Sequence, residues 1–64
     1  MIRNRVKELR KECNITQADL ADEVGISVST LRNIELGKEP KTEVAVKLAR
    51  VLGVTISGLY YTDL

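Results

Sequence analysis

Histidine, tryptophan and phenylalanine are absent from this 64-residue chain, and cysteine, proline and methionine each occur once. A lone Cys13 cannot close an intrachain disulfide, which points to a reducing compartment. With no histidine and one thiol, the parts of a zinc site or of a His-based catalytic machine are missing. Cys13 falls on an apolar stripe, where it reads as a small core hydrophobe rather than a nucleophile. No apolar run approaches the roughly 18 residues of a membrane span, and the N-terminus is too charged for a secretory signal. No alternating run marks a convincing β-strand. These absences disfavour an enzyme, a metal protein and a membrane protein. Nothing points to a cofactor or a small-molecule effector.

What is present suffices for one small globule. Hydrophobic residues make up 44% of the chain, while a domain this short hides only about 60% of its unfolded surface. Residues 1–64 are therefore expected to form a single domain. Charged residues are 30% with both signs mixed, which disfavours disorder. The net charge of +1 conceals a segregation. Arg3, Arg5, Lys7, Arg10 and Lys11 oppose Glu8 alone in residues 1–11, a net of +4. Glu12, Asp19, Asp22 and Glu23 stand without a base in residues 12–31, a net of −4. The remaining residues carry +1. Ordinary solvated helix faces would also show such a pattern.

Helical periodicity organises the chain. Ile2, Val6, Leu9 and Cys13 form one stripe of a first amphipathic helix, with Asn14 as its stop. Thr16 reads as the N-cap of a second helix that carries Leu20, Ala21 and Val24 inward and ends at Gly25. Ser27 caps a third, with Leu31 and Ile34 inward and a stop near Leu36–Gly37. After Pro40, Thr42 caps a fourth, whose stripe is Ala45, Leu48, Ala49 and Leu52 and whose stop is Gly53. Thr55 or Ser57 starts a last short helix, weakened by Gly58. The expected fold is all-α, with about five helices.

Residues 17–36, QADLADEVGISVSTLRNIEL, meet the demands of a helix-turn-helix one by one. Ala21 is small where two helices must cross closely. Gly25 tolerates the positive φ that the turn requires. Leu20, Val24, Ile26, Leu31 and Ile34 supply the apolar knot between the helices. The string T-Q-A-D-L-A-D-E-V-G-I-S-x3-L-x2-I-E-x-G-K resembles the Cro/CI-type, XRE-like helix-turn-helix family of phage repressors and bacterial regulators. The similarity runs from about Ile2 to Leu59 and includes A-x2-L-A-x2-L-G-V at Ala45–Val54.

The resemblance implies a compact five-helix, lambda-repressor-like domain that binds double-stranded DNA, usually as a homodimer. It places Thr16 and Gln17 against the DNA backbone, where free helix-start N–H groups and an amide suit a phosphate oxygen. Ser27, Val28 and Ser29 fall at the start of the recognition helix, the part that enters the major groove. Arg32 and Asn33 follow one turn on. Base-contact candidates are thus Val28, Ser29, Arg32 and Asn33, and phosphate-contact candidates are Thr16, Gln17, Ser27, Lys38 and Lys41. Plain capping and solvation remain the alternatives for each. Arg10 and Glu35 match a structural pair that joins the first helix to the end of the third.

The chain departs from the family pattern at Val28, Leu36, Thr42 and Gly58. Leu36 removes one potential phosphate contact, and Gly58 weakens the last helix. The expected function is that of a cytoplasmic transcriptional regulator of the repressor type, dimeric on a near-palindromic operator. Tyr60, Tyr61 and Leu64 are the interface candidates. The competing reading is a helical protein-interaction module of the same fold, favoured by Asp19, Asp22, Glu23 and Val28.

Overall fold

The computed structural model describes residues 2–62 and runs β1 (Ile2–Asn4), α1 (Val6–Glu12), α2 (Gln17–Val24), α3 (Val28–Glu35), α4 (Thr42–Leu52), a 3-10 turn (Ser57–Leu59) and β2 (Tyr60–Thr62). Helices α2 and α3 begin where a side chain replaces a missing backbone partner. Thr16 Oγ1 accepts the Asp19 amide at 3.1 Å, and Ser27 Oγ accepts the Thr30 amide at 3.0 Å. The helices end alike. Asn14, Gly25, Gly37 and Gly53 all have positive φ and pass the chain into a Schellman closure. In α2 the Gly25 amide bonds to the Asp22 carbonyl at 3.2 Å and the Ile26 amide to the Ala21 carbonyl at 3.0 Å. The residues just beyond three of these closures, Ile15, Ile26 and Val54, pack against the core.

Three expectations are corrected. The described residues hold four α-helices, a 3-10 turn and a two-stranded antiparallel pair, rather than five helices. The expected first stripe loses both ends: Ile2 lies in β1, and Cys13 is exposed beyond the last residue of α1. The Asn4 side chain explains the late start, because its Oδ1 accepts the Val6 amide at 3.2 Å and turns the chain there. Buried Arg10 takes the inner position that Cys13 was expected to hold. Thr42 is the first helical residue and not the cap, because the extended Lys41 already offers its carbonyl to the Ala45 amide at 2.9 Å. The last helix contracts to a 3-10 turn at Gly58, where any Cβ would lie 3.1 Å from Val54 Cβ. Ile56 and neither Thr55 nor Ser57 is its cap residue, although Thr55 Oγ1 accepts the Gly58 amide at 3.1 Å.

The strands escaped notice because each has three residues, too few for alternation to show, and they pair Asn4 with Tyr60 across the whole chain. The Arg5 amide extends the ladder to the Leu59 carbonyl at 2.6 Å.

One apolar cluster holds the layers together. Leu20, Leu31 and Leu48, from α2, α3 and α4, are 0% exposed, and Val6 and Leu59 close its two sides. Arg10 is the buried charged residue among those described, and each of its three side-chain nitrogens has an acceptor. Its Nε donates to Glu35 Oε2 at 2.7 Å and its Nη2 to Glu35 Oε1 at 3.4 Å. Its Nη1 donates to the Ile15 carbonyl at 3.0 Å. The two side chains are 11% and 3% exposed, so the pair works in a low dielectric.

Two stability outcomes are expected. At Gly25 a Cβ meets nothing within 4 Å, so the cost of Gly25→Ala is purely that of a left-handed backbone at φ 74°. It should be about 1–2 kcal/mol, read as a lower urea midpoint with an unchanged m-value. Glu35→Ala strands a buried guanidinium and should cost about 3–5 kcal/mol, a large share of the roughly 3–10 kcal/mol total for this length. Joint replacement by Arg10→Met and Glu35→Leu should recover most of that loss in the same titration. No recovery would show that the stranded charge is not its cause.

Candidate nucleic-acid interface

The two faces of α3 have different fates. Leu31 and Ile34 are 0% and 2% exposed and hold the helix to the core. Ser29, Arg32 and Asn33 are exposed, and their spacing of three and four residues sets them on one face. Thr30 is exposed beside them. Val28 is half-buried and packs against the core, so only part of its side chain is open to a thymine methyl. Chemically the face offers a guanidinium fork, an amide and two hydroxyls. These groups match the acceptor pair of guanine, the edge of adenine and either groove-facing oxygen.

Hydrogen-bond accounting separates capping from contact. Thr16 uses its oxygen as an acceptor for the Asp19 amide, which leaves the hydroxyl proton for an outside oxygen. Gln17 is half-buried and donates one amide hydrogen to Glu35 Oε1 at 2.9 Å, so one hydrogen remains for a phosphate. Ser27 is committed twice, accepting the Thr30 amide and donating to Thr30 Oγ1 at 2.8 Å. The hydroxyl proton of Thr30 is the one left over. Thr30 was not among the expected contacts, and its three-residue spacing from the Ser27 cap is the one signal for it in the sequence.

The bases and acids around this face are unequally placed. Lys38 and Lys41 are exposed on the segment that follows α3. Asp19, Asp22 and Glu23 are exposed on α2, whose buried side is Leu20, Ala21 and Val24. Leu36 projects at 80% exposure between Glu35 and Gly37. At the C-terminal side, Tyr60 is half-buried and packs on the core. Tyr61 is half-buried with the Arg5 guanidinium 5.4 Å from its ring centroid. Ile56 is 46% exposed nearby in sequence, and Leu64 lies outside the described residues.

The sequence profile of the helix-turn-helix family matches residues 6–59. An HTH-type transcriptional regulator of Archaeoglobus fulgidus is 38% identical over 63 residues, covering 97% of this chain and 89% of the relative. A second, from Methanocaldococcus jannaschii, is 39% identical and covers 97% of both chains. The phage transcriptional repressor RstR of Vibrio cholerae is 41% identical over 59 residues, 91% of this chain and 53% of that protein, so this chain spans about half its length. Among solved structures, a protein of Bacteroides fragilis superposes with a TM-score of 0.85 at 29% identity, covering 95% of this chain and 100% of that one. SinR, the master regulator for biofilm formation, solved in complex with DNA, superposes with a TM-score of 0.73 at 33% identity, covering 81% and 86%. This chain belongs to the helix-turn-helix family.

Proposed function

We propose that the chain is a transcriptional regulator of the repressor type that reads double-stranded DNA with the exposed face of α3. The observation that carries this reading is the grouping of Ser29, Arg32 and Asn33 on one open face of a helix whose other face is anchored. In this reading the exposed face of α3 enters the major groove. Ser29, Arg32 and Asn33 meet base edges, with Val28 contributing a methyl. Thr16, Gln17, Lys38 and Lys41 hold phosphates and set the register, while Ser27, also expected there, spends its hydroxyl proton on Thr30 and acts by orienting it. Thr30 joins the phosphate group through its remaining hydroxyl proton. The whole chain acts as one DNA-binding domain and performs no catalytic step. It works in the cytoplasm, where a bacterial or archaeal chromosome lies.

A module of this size reads about four to six base pairs, too few for a unique site, so the reading includes a two-fold dimer on a near-palindrome. Leu59 is buried in its own core and has nothing to offer a partner. Tyr60, Tyr61 and Leu64, with exposed Ile56, are the surface proposed for the contact.

Binding to the preferred duplex and to scrambled DNA at several salt concentrations tests the division of labour. Arg32→Ala should cost roughly 1–3 kcal/mol at the preferred site and flatten preference at one base position. Lys38→Ala and Lys41→Ala should weaken all duplexes almost equally and lower the salt slope by about one per contacted half-site. Base preference that survives Arg32→Ala but changes with a lysine variant would move the reading face elsewhere. Binding untouched by all three would favour a protein partner, to which exposed Asp19, Asp22 and Glu23 on α2 are better suited than to phosphate.

The dimer has its own measurement. Sedimentation at micromolar concentration should show a two-chain species that Tyr61→Glu or Ile56→Glu dissociates. A single-chain species with protection of only one half-site would remove the dimer from the reading.

A further inference from the structure

We propose that Asn4 is a positioning residue for DNA reading: its side-chain amide clamps the C-terminal end of α3 and thereby sets the angle at which that helix is presented. The inference rests on the DNA-binding reading above and adds a determinant that lies outside the helix-turn-helix unit.

Asn4 is half-buried and uses both ends of its amide. Its Oδ1 accepts the Val6 amide at 3.2 Å, turning the chain into α1. Its Nδ2 donates to the Ile34 carbonyl at 2.8 Å, 30 residues away. The same carbonyl accepts the Gly37 amide at 3.0 Å, so both of its lone pairs are directed. Asn4 is itself held from behind, in register with Tyr60 in the strand pair and followed by the 2.6 Å bond from the Arg5 amide to the Leu59 carbonyl. The strand pair therefore carries the side chain that grips the last turn of the reading helix.

The grip is needed because the apolar contacts of α3 fix its depth and not its direction. Leu31 and Ile34 are buried, but hydrophobic burial is non-directional. Directional bonds reach α3 at its end, through Glu35 and the Ile34 carbonyl. Ser29 precedes Ile34 by five positions, about 7.5 Å along the axis at 1.5 Å per residue. A tilt of about 10° at that end moves Ser29 by roughly 1.3 Å, beyond the ~0.5 Å tolerance of a directional site. Long lysine side chains bound to phosphate absorb such a shift. Loss of the clamp should therefore reduce discrimination between sequences more than binding as such.

Two variants isolate the clamp. Asn4→Asp keeps an acceptor for the Val6 amide and sets a carboxylate oxygen where the donor to Ile34 was. Asn4→Ser keeps a short neutral acceptor and cannot serve both sites. Affinities for the preferred and a scrambled duplex are measured across salt for wild type and both variants, with amide hydrogen exchange on the free proteins. The ratio of the two affinities should fall roughly three- to tenfold per half-site in both variants, with the salt slope of Asn4→Ser unchanged. The Gly37 and Lys38 amides, which close α3, should exchange faster relative to Leu48 and Ala49 in α4. A variant that is merely less stable lowers both affinities together and leaves the ratio intact, which would overturn the role of Asn4. Unchanged exchange at Gly37 and Lys38 would overturn it as well. A wild-type chain that prefers no duplex overturns the DNA reading itself, so the two failures are distinguishable.

Discussion

A guanidinium and a carboxylate withdrawn from water, Arg10 in α1 and Glu35 in the last turn of α3, constrain everything around them. Separated charges in a poorly solvated place are tolerable only when every strong donor and acceptor is answered. Here the answers come from distant segments. The α1–α2 turn supplies the Ile15 carbonyl, and the start of α2 supplies the Gln17 amide. Satisfying one ion pair thus aligns α1, the beginning of α2 and the end of α3 together. A leucine layer of the same size would hold the helices as firmly, yet it would accept many rotations about the contact. We read the pair as a device for orientation rather than for net stability.

That orientation has a use because α3 is divided along its length. Its inner face is consumed by Leu31 and Ile34, and its end is gripped by bonded side chains. Its outer face then projects with Ser29, Arg32 and Asn33 open. A net charge of +1 provides little general attraction to a polyanion, and the acids on α2 repel part of it. Preference among sequences in such a chain has to come from placement rather than from bulk charge. The weak electrostatic background and the strong anchoring of α3 fit one another.

Much of this was legible in the residues. The stops at Asn14, Gly25, Gly37 and Gly53 and the caps at Thr16 and Ser27 are local chemistry, decided within a few positions, and all stand where the pattern placed them. The Arg10–Glu35 pair came from family resemblance, because nothing across a separation of 25 positions announces which acid meets which base. The strand pair was not legible. Three residues cannot display a period, and their pairing joins opposite ends of the chain. The clamp from Asn4 to Ile34 is invisible for the same reason, since it depends on where β1 is carried by β2. Gly58 marks a weak point by residue type alone, whereas the approach of Val54 Cβ to 3.1 Å from any Cβ there is a tertiary feature that the residues do not announce.

Selection of bound duplexes from a random pool by the full chain, at near-physiological salt, tests the groove-reading face most directly. Enrichment of two related half-sites, inverted about a dyad and spaced about 10 base pairs centre to centre, is the expected result. A pool that stays random through successive rounds, while the protein remains folded, would contradict it.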